Sequence, residues 1–304
     1  MTKRIFITGA SGFIGQALVK KLREKNKKLI GLSRNKARSR KLEKIEWVFA
    51  DIRDNCWHDK IKGCDVVIHL AGVLGYKQIP FKERLSIELD GTRNLVKAVE
   101  KWKVNYLVYI STAYSDLGTD YAKAKNICKR YVLDEIKKCL PATVVSPVIV
   151  YGPGNDANFS RIIKAVKDSR FVFVGNGRNK WSLIYIDDLV NALVLIINNK
   201  KIFLGKEVVI SGYNISLRKL VDTISASAQV DKPKIYLPKI PMMFLGRMLY
   251  LLSKTGISVP FNYDAILNLV SSRNYKTDRE LTKLGFKPKT DFNKGIDMTL
   301  NEKY

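Results

Sequence analysis

Histidine is all but missing: the 304 residues hold two, His58 and His69. The four cysteines, Cys56, Cys64, Cys128 and Cys139, show no paired spacing. That leaves too few ligands for a zinc site, so no metal is expected. Acidic residues are also scarce, 28 against 54 basic ones, for a formal charge of +26. Such a balance favours anionic small molecules, membranes or nucleic acid. No run of five or more basic residues occurs, and the densest stretch is Arg34 to Lys44. Nucleic acid is therefore not the expected partner. Long apolar runs are missing too. Ile240 to Leu252, interrupted by Arg247, is too short to span a bilayer. It is expected as a buried helix, with contact at a membrane surface as the alternative. The chain enters its first strand without a secretory leader, and a cytoplasmic, reducing compartment is expected.

What is present begins at residue 4. Arg4-Ile5-Phe6-Ile7-Thr8 reads as a buried strand, and Gly9-Ala10-Ser11-Gly12-Phe13-Ile14-Gly15 follows it. Ala17, Leu18, Val19 and Leu22 then recur at helical spacing. This is strand, tight turn, helix. Gly9 permits dihedrals that a side chain would forbid, and Gly12 lets the main chain approach a diphosphate. Gly15 lets the helix lie on the strand. The helix N-terminus offers N–H groups to the phosphates, so the segment reads as a dinucleotide-binding turn.

Further strands are expected at 29–32, 47–50, 65–70, 106–110 and 142–145, with a helix from Ser86 to Lys103. The alternation predicts an α/β fold with a doubly wound parallel sheet of the Rossmann type. The pattern changes after Tyr151-Gly152-Pro153-Gly154. There follow a helix near Asn158 to Asp168, a hairpin-like Gly175-Asn176-Gly177, a helix opening at Ile186 and a strand at Glu207 to Ser211. From Leu217 the chain reads mostly helical. The expected organisation is a dinucleotide-binding domain over 1–152, with returning segments at about 181–211. A smaller, mostly helical substrate lobe takes 153–180 and 212–304.

Tyr121 and Lys125 stand four apart, on one face of a helix. A lysine charge favours the phenolate, so the tyrosine pKa is expected to fall toward the working range. Tyr121 is thus a candidate general acid/base for alcohol–ketone exchange. Ser111-Thr112, at the end of the fifth strand, can bond the substrate oxygen. Tyr250 and Lys254 repeat the spacing in the apolar segment, without such a hydroxyl.

With these residues the chain resembles the extended short-chain dehydrogenase/reductases, the NAD(P)-dependent epimerase/dehydratase group. Thr8 to Gly15 is similar to the group's glycine motif, and Gly91-Thr92-Arg93-Asn94-Leu95 to its helix motif. Asp51-Ile52 matches its adenine contact, and His69-Leu70-Ala71-Gly72 its segment beside the cofactor. Thr112, Tyr121 and Lys125 match its catalytic hydroxyl, tyrosine and lysine, with Lys125 also holding the nicotinamide ribose. Ser146-Pro147-Val148-Ile149-Val150-Tyr151-Gly152-Pro153-Gly154 and Tyr185-Ile186-Asp187-Asp188-Leu189 fit later landmarks. The resemblance implies cofactor contacts at Gly9, Ser11, Gly12, Phe13, Ile14, Gly15, Pro147 and Val148, and dimerisation through two helices of the sheet domain.

Four departures stand out. Only eight residues separate Thr112 from Tyr121, which makes this loop short for a sugar-nucleotide epimerase. Glu88 replaces the usual asparagine, and Ser146 a common arginine. At the end of the second strand Ser33-Arg34 stands where NAD enzymes carry an acid. A hydroxyl and a guanidinium, with Arg38 nearby, suit a 2′-phosphate, so NADP(H) is expected over NAD(H). The leading expectation is a sugar-nucleotide epimerase or oxidoreductase. The alternatives are an NADPH-dependent reductase of a lipophilic ketone, similar to hydroxysteroid dehydrogenases, and a non-catalytic NADPH-binding subunit.

Overall fold

The computed structural model describes residues 3–25, 27–39, 42–73, 75, 79–155, 158–253 and 263–301. Among the described residues, β-branched and aliphatic runs form twelve strands. The first six are β1 (Arg4–Thr8), β2 (Lys28–Ser33), β3 (Glu46–Phe49), β4 (Val66–His69), β5 (Leu107–Ile110) and β6 (Ala142–Pro147). The rest are β7 (Ile149–Tyr151), β8 (Phe173–Val174), β9 (Lys180–Tyr185), β10 (Glu207–Ile210), β11 (Tyr213–Ser216) and β12 (Tyr236–Leu237).

Seven strands make one parallel sheet in the order β3-β2-β1-β4-β5-β6-β10. Continuous apolar sequence suits strands buried on both faces, and β4 and β5 are buried throughout. Strand order reverses between β1 and β4, where Thr8 pairs in register with His69. Ligands of such sheets bind at this switch point, beyond the carboxyl ends of the strands.

Helices cover both faces. The expected helix from Ser86 is two pieces, a π-helical turn Ser86–Asp90 and the α-helix Gly91–Lys101. A π turn inside a helix widens the backbone locally and often marks a functional site. The glycine pair at 175 and 177 does not make a hairpin. β8 pairs with β12, while β9 pairs with β7 and β11. Both glycines have positive φ, but they turn the chain out of one small sheet into another.

Polar contacts bind the C-terminal segments to helices that flank the sheet. Asp188, 2% exposed, accepts from the backbone N–H groups of Lys289 (2.9 Å) and Thr290 (3.2 Å). Asp264 Oδ2 accepts from the Asp120 N–H at 3.1 Å. The helix Tyr263–Val270 thereby meets the start of the helix Asp120–Lys137.

The helix Lys239–Ser253 corrects the expectation of burial. Ile240 is 82% and Phe244 69% exposed. The apolar sequence makes a helix, but only one side of it finds a neighbour. Lys254, of the second tyrosine–lysine pair, lies outside the described residues.

Candidate active site

Gly9 ends β1 with φ +69°, a left-handed conformation that favours glycine. A Cβ there would lie 2.7 Å from the Ala71 nitrogen, so the glycine turn rests directly on the 70–72 segment. Gly12 is the N-cap of the helix Phe13–Arg23 and supplies no side-chain cap. That helix has no acidic residue in its first turn and packs Leu18, Val19 and Leu22 inward, with Gly15 directly on the Gly9–Ala10 backbone of the turn rather than on the strand itself. Phe13 and Ile14 are half-buried at its start. Uncapped N–H groups at a positive dipole end fit a diphosphate.

Ser11 Oγ and Ser33 Oγ meet at 2.7 Å, bringing the glycine turn to the end of β2. Beside them Arg34 Nη1 lies 3.3 Å from Asp51 Oδ2. The same carboxylate holds Arg53 at 3.0 and 3.1 Å. Hydrogen bonding to Arg53, partly opposed by burial, holds Asp51 down to about 2. The expected adenine acid is thus a firm anion with two guanidinium partners. Ile52 is buried against Gly91. The Arg38 side chain lies outside the described residues.

A hydrogen-bonded chain crosses the switch point. The Ala71 N–H donates to Thr8 Oγ1 at 3.2 Å, and that hydroxyl meets His69 Nδ1 at 2.7 Å. His69 Nε2 meets Thr92 Oγ1 at 3.4 Å, which donates to the Glu88 carbonyl at 2.6 Å. Followed from donor to acceptor, this requires a neutral His69 with its proton on Nε2. Burial first, and the nearby Lys125 charge second, press His69 down to about 3.

The helix Asp120–Lys137 starts at Thr119, whose hydroxyl accepts from the Ala122 N–H at 3.1 Å. Its inward face carries Lys125, with Tyr121 one turn earlier and half-buried. Lys125 Nζ is 2.8 Å from Glu88 Oε2, and neither side chain is more than 8% exposed. Glu88 Oε1 accepts from the Val73 N–H at 2.8 Å. Arg84 Nη1 donates to the Val73 carbonyl at 3.2 Å, and its guanidinium stands 6.0 Å from the Tyr121 ring centre. A Cβ on Gly72 would lie 2.8 Å from Lys125 Nζ and 2.9 Å from Glu88 Oε1. The 70–72 segment therefore runs between the glycine turn and the buried ion pair.

Burial reverses the expectation for Tyr121. Its pKa is raised, chiefly by burial; Lys125 opposes the shift and Glu88 adds to it. Burial alone would depress Lys125, but the Glu88 carboxylate together with Tyr109 and Tyr121 outweighs it and the ammonium stays charged. The tyrosine is held as a phenol, a proton donor at neutral pH.

Thr112 is buried, and its Oγ1 accepts from the Tyr114 N–H at 3.2 Å, leaving its proton to donate. Ser111 Oγ is buried with no partner among the described residues. Ser111 and Ala113 are tied to the next strand, Ser111 N–H to Val145 at 2.8 Å and Ala113 N–H to Pro147 at 3.0 Å. Val148 is buried beside them. Ser146, in place of an arginine, donates to Glu207 Oε1 at 2.7 Å, which also pairs with Lys129 at 3.0 Å. The sequence singled out Glu88 only as a departure. That Lys125 is its partner, and that Arg84 and His69 join the buried network, carries no signal at fixed spacing.

A model of the NAD dependent epimerase/dehydratase family matches residues 5–211. The chain belongs to that family. A UDP-glucose 4-epimerase of Vibrio cholerae is 27% identical over 78% of this chain and 79% of its own length. An N-acetyl-alpha-D-glucosaminyl-diphospho-ditrans,octacis-undecaprenol 4-epimerase of Escherichia coli O157:H7 is 23% identical over 100% of this chain and 96% of its own. The solved UDP-glucose 4-epimerase of Thermotoga maritima, with UDP-glucose, superposes with a TM-score of 0.76 at 19% identity, covering 97% of each chain. As a member of the NAD dependent epimerase/dehydratase family, the chain is an enzyme of an NAD-using group. Its glycine turn, uncapped helix and buried Ser111 hydroxyl fit a bound dinucleotide.

Proposed function

We propose that the chain is a sugar-nucleotide epimerase-type oxidoreductase acting at a secondary alcohol or ketone. One observation carries the reading: the Gly9 turn, the 70–72 segment and the Lys125 ammonium lie in direct succession, with Tyr121 on the same helix face. When bound, the nicotinamide supplies hydride chemistry at its C4. Gly12, Phe13, Ile14 and the helix N-terminus hold the diphosphate. Pro147 and Val148 line the nicotinamide end. Lys125, paired with Glu88, orients the ribose. Thr112 donates to the substrate oxygen, and Tyr121 gives that oxygen its proton or takes it back. The formal charge of +26 suits an anionic nucleotide sugar.

The reading extends to the cofactor. NADP(H) is preferred, supported by the Ser11–Ser33 hydroxyl pair and by Arg34, whose side chain is 57% exposed. It also assigns residues 1–152 with about 181–211 to the cofactor and 153–180 with 212–304 to the substrate. Four free thiols, two of them exposed, support a reducing cytoplasm. Ile127, 38% exposed on the Asp120–Lys137 helix, supports a homodimer through that helix.

The experiment is mass spectrometry of the small molecules that co-purify, followed by incubation with UDP-glucose and either pyridine nucleotide. An epimerised sugar without net cofactor consumption is expected. Tyr121→Phe is expected to lower turnover by about 10²–10⁴-fold while nucleotide binding persists. Unchanged function in Tyr121→Phe would leave a non-catalytic NADPH-binding subunit. The raised Tyr121 pKa, set chiefly by burial, favours a second reading. A tyrosine held protonated is poised to donate, as a net NADPH-dependent reductase requires. Loss of NADPH absorbance with a lipophilic ketone, and none with UDP-sugars, would select it.

A further inference from the structure

We propose that the helix Lys239–Ser253 docks the protein on the surface of an anionic lipid bilayer. This stands apart from the catalytic reading. The helix has two unlike sides. On one, Met242 and Met243 pack against Val174, Ile266 and Val270. A Cβ on Gly246 would lie 2.5 Å from Ile266 Cδ1, so the backbone sits directly on the helix Tyr263–Val270. The other side presents Ile240 (82% exposed), Phe244 (69%), Leu245 (43%), Met248 (47%) and Leu251 (55%) to solvent. Positions 240, 244, 248 and 251 follow helical spacing, so these side chains form one stripe over three turns.

Charge selects the occupant. From Lys232 to Tyr263 the sequence has no Asp or Glu. Lys232, Lys234, Lys239 and Arg247 are all exposed, and Lys239 and Arg247 are on the helix itself. An apolar stripe beside basic residues is the pattern of a helix lying in the interface of an anionic membrane. A second copy of the chain would bring the same basic segment against itself, a like-charge contact that a bilayer avoids. The stripe is a projecting ridge. The acyl region takes such a ridge without any matching groove.

The test is sedimentation of the full chain with phosphatidylcholine vesicles, with and without about a quarter phosphatidylglycerol. Binding to the anionic vesicles and little to the neutral ones is expected, weakening with salt. The triple variant Ile240→Ser, Phe244→Ser, Leu251→Ser keeps every charge. It is expected to lose on the order of tenfold or more in partition, with unchanged circular dichroism and melting. The four native tryptophans, Trp47, Trp57, Trp102 and Trp181, lie elsewhere. Phe244→Trp should therefore add emission that moves to the blue on anionic vesicles, a readout that stands even if the triple variant misfolds. Equal binding by the triple variant would reduce the effect to general basic charge and overturn the proposal. So would an absence of vesicle binding. A wild-type dimer in light scattering that the triple variant dissolves, with no vesicle binding by either, would reassign the ridge to self-association.

Discussion

The Glu88 carboxylate sits 2.8 Å from the Lys125 ammonium, and both side chains are almost fully buried. Removing one member leaves a buried charge without its counter-ion, at a cost of about 3–5 kcal/mol. Glu88→Gln is expected to lower the denaturant midpoint accordingly. Where Lys125 keeps its proton, its charge then acts on Tyr121 undivided, and the phenolate forms at lower pH. Absorbance titration of tyrosinate, with Tyr121→Phe subtracted, reads this directly. An unmoved midpoint would remove Glu88 from the control of the tyrosine.

Arg34 reaches Asp51 across 3.3 Å with its side chain 57% exposed. Exposed pairs of this kind contribute little, so the guanidinium is released at small cost to meet a 2′-phosphate. Arg34→Glu is expected to shift the ratio of NADP to NAD dissociation constants toward NAD by on the order of tenfold to a hundredfold. Calorimetric titration with each nucleotide checks this without turnover. An unchanged ratio would mean that the second strand does not read the phosphate.

Gly9 and Gly63 have nearly the same φ, +69° and +72°, but different surroundings. A Cβ on Gly63 would meet only Arg4 Nη1 at 3.9 Å, whereas one on Gly9 would meet backbone of the 70–72 segment at 2.7 Å. Gly63→Ala should show backbone strain alone, about 1–3 kcal/mol. Gly9→Ala should be less stable still and should lose nucleotide binding. Chemical denaturation and nucleotide calorimetry on both variants make the comparison. Equal stability loss with binding intact would contradict the close packing at the switch point.

His69 is held neutral, down to about 3, while an unfolded histidine titrates near 6.5. Its folded pKa is depressed. Below about pH 6.5 the unfolded chain takes up a proton that the folded chain refuses, and stability falls by up to about 1.4 kcal/mol per pH unit toward pH 3. His58 is also lowered, mainly by burial, and is common to wild type and variant. His69→Asn is expected to flatten the stability curve between about pH 6.5 and 5, whatever its absolute stability. A slope matching wild type would show that His69 is protonated in the fold.

The sequence by itself determined the parallel sheet, the glycine turn and the Tyr121–Lys125 face. These rest on local order: continuous apolar runs of strand length, glycines at fixed offsets, and side chains one helical turn apart. Tertiary structure decided what those groups do to one another. Glu88 comes from a π turn 37 residues before Lys125, and only the fold brings it within 2.8 Å. Burial of the phenol, with the Glu88 charge adding to it, turns an expected fall in the Tyr121 pKa into a rise. The same holds for Ile240 to Leu252. Its composition suits burial, but whether a helix face is covered depends on which neighbour the fold supplies, and here only the Met242–Gly246 side has one. Spacing along a chain encodes secondary structure; solvent exclusion and charge pairing arise between distant segments and appear only once the chain has closed upon itself.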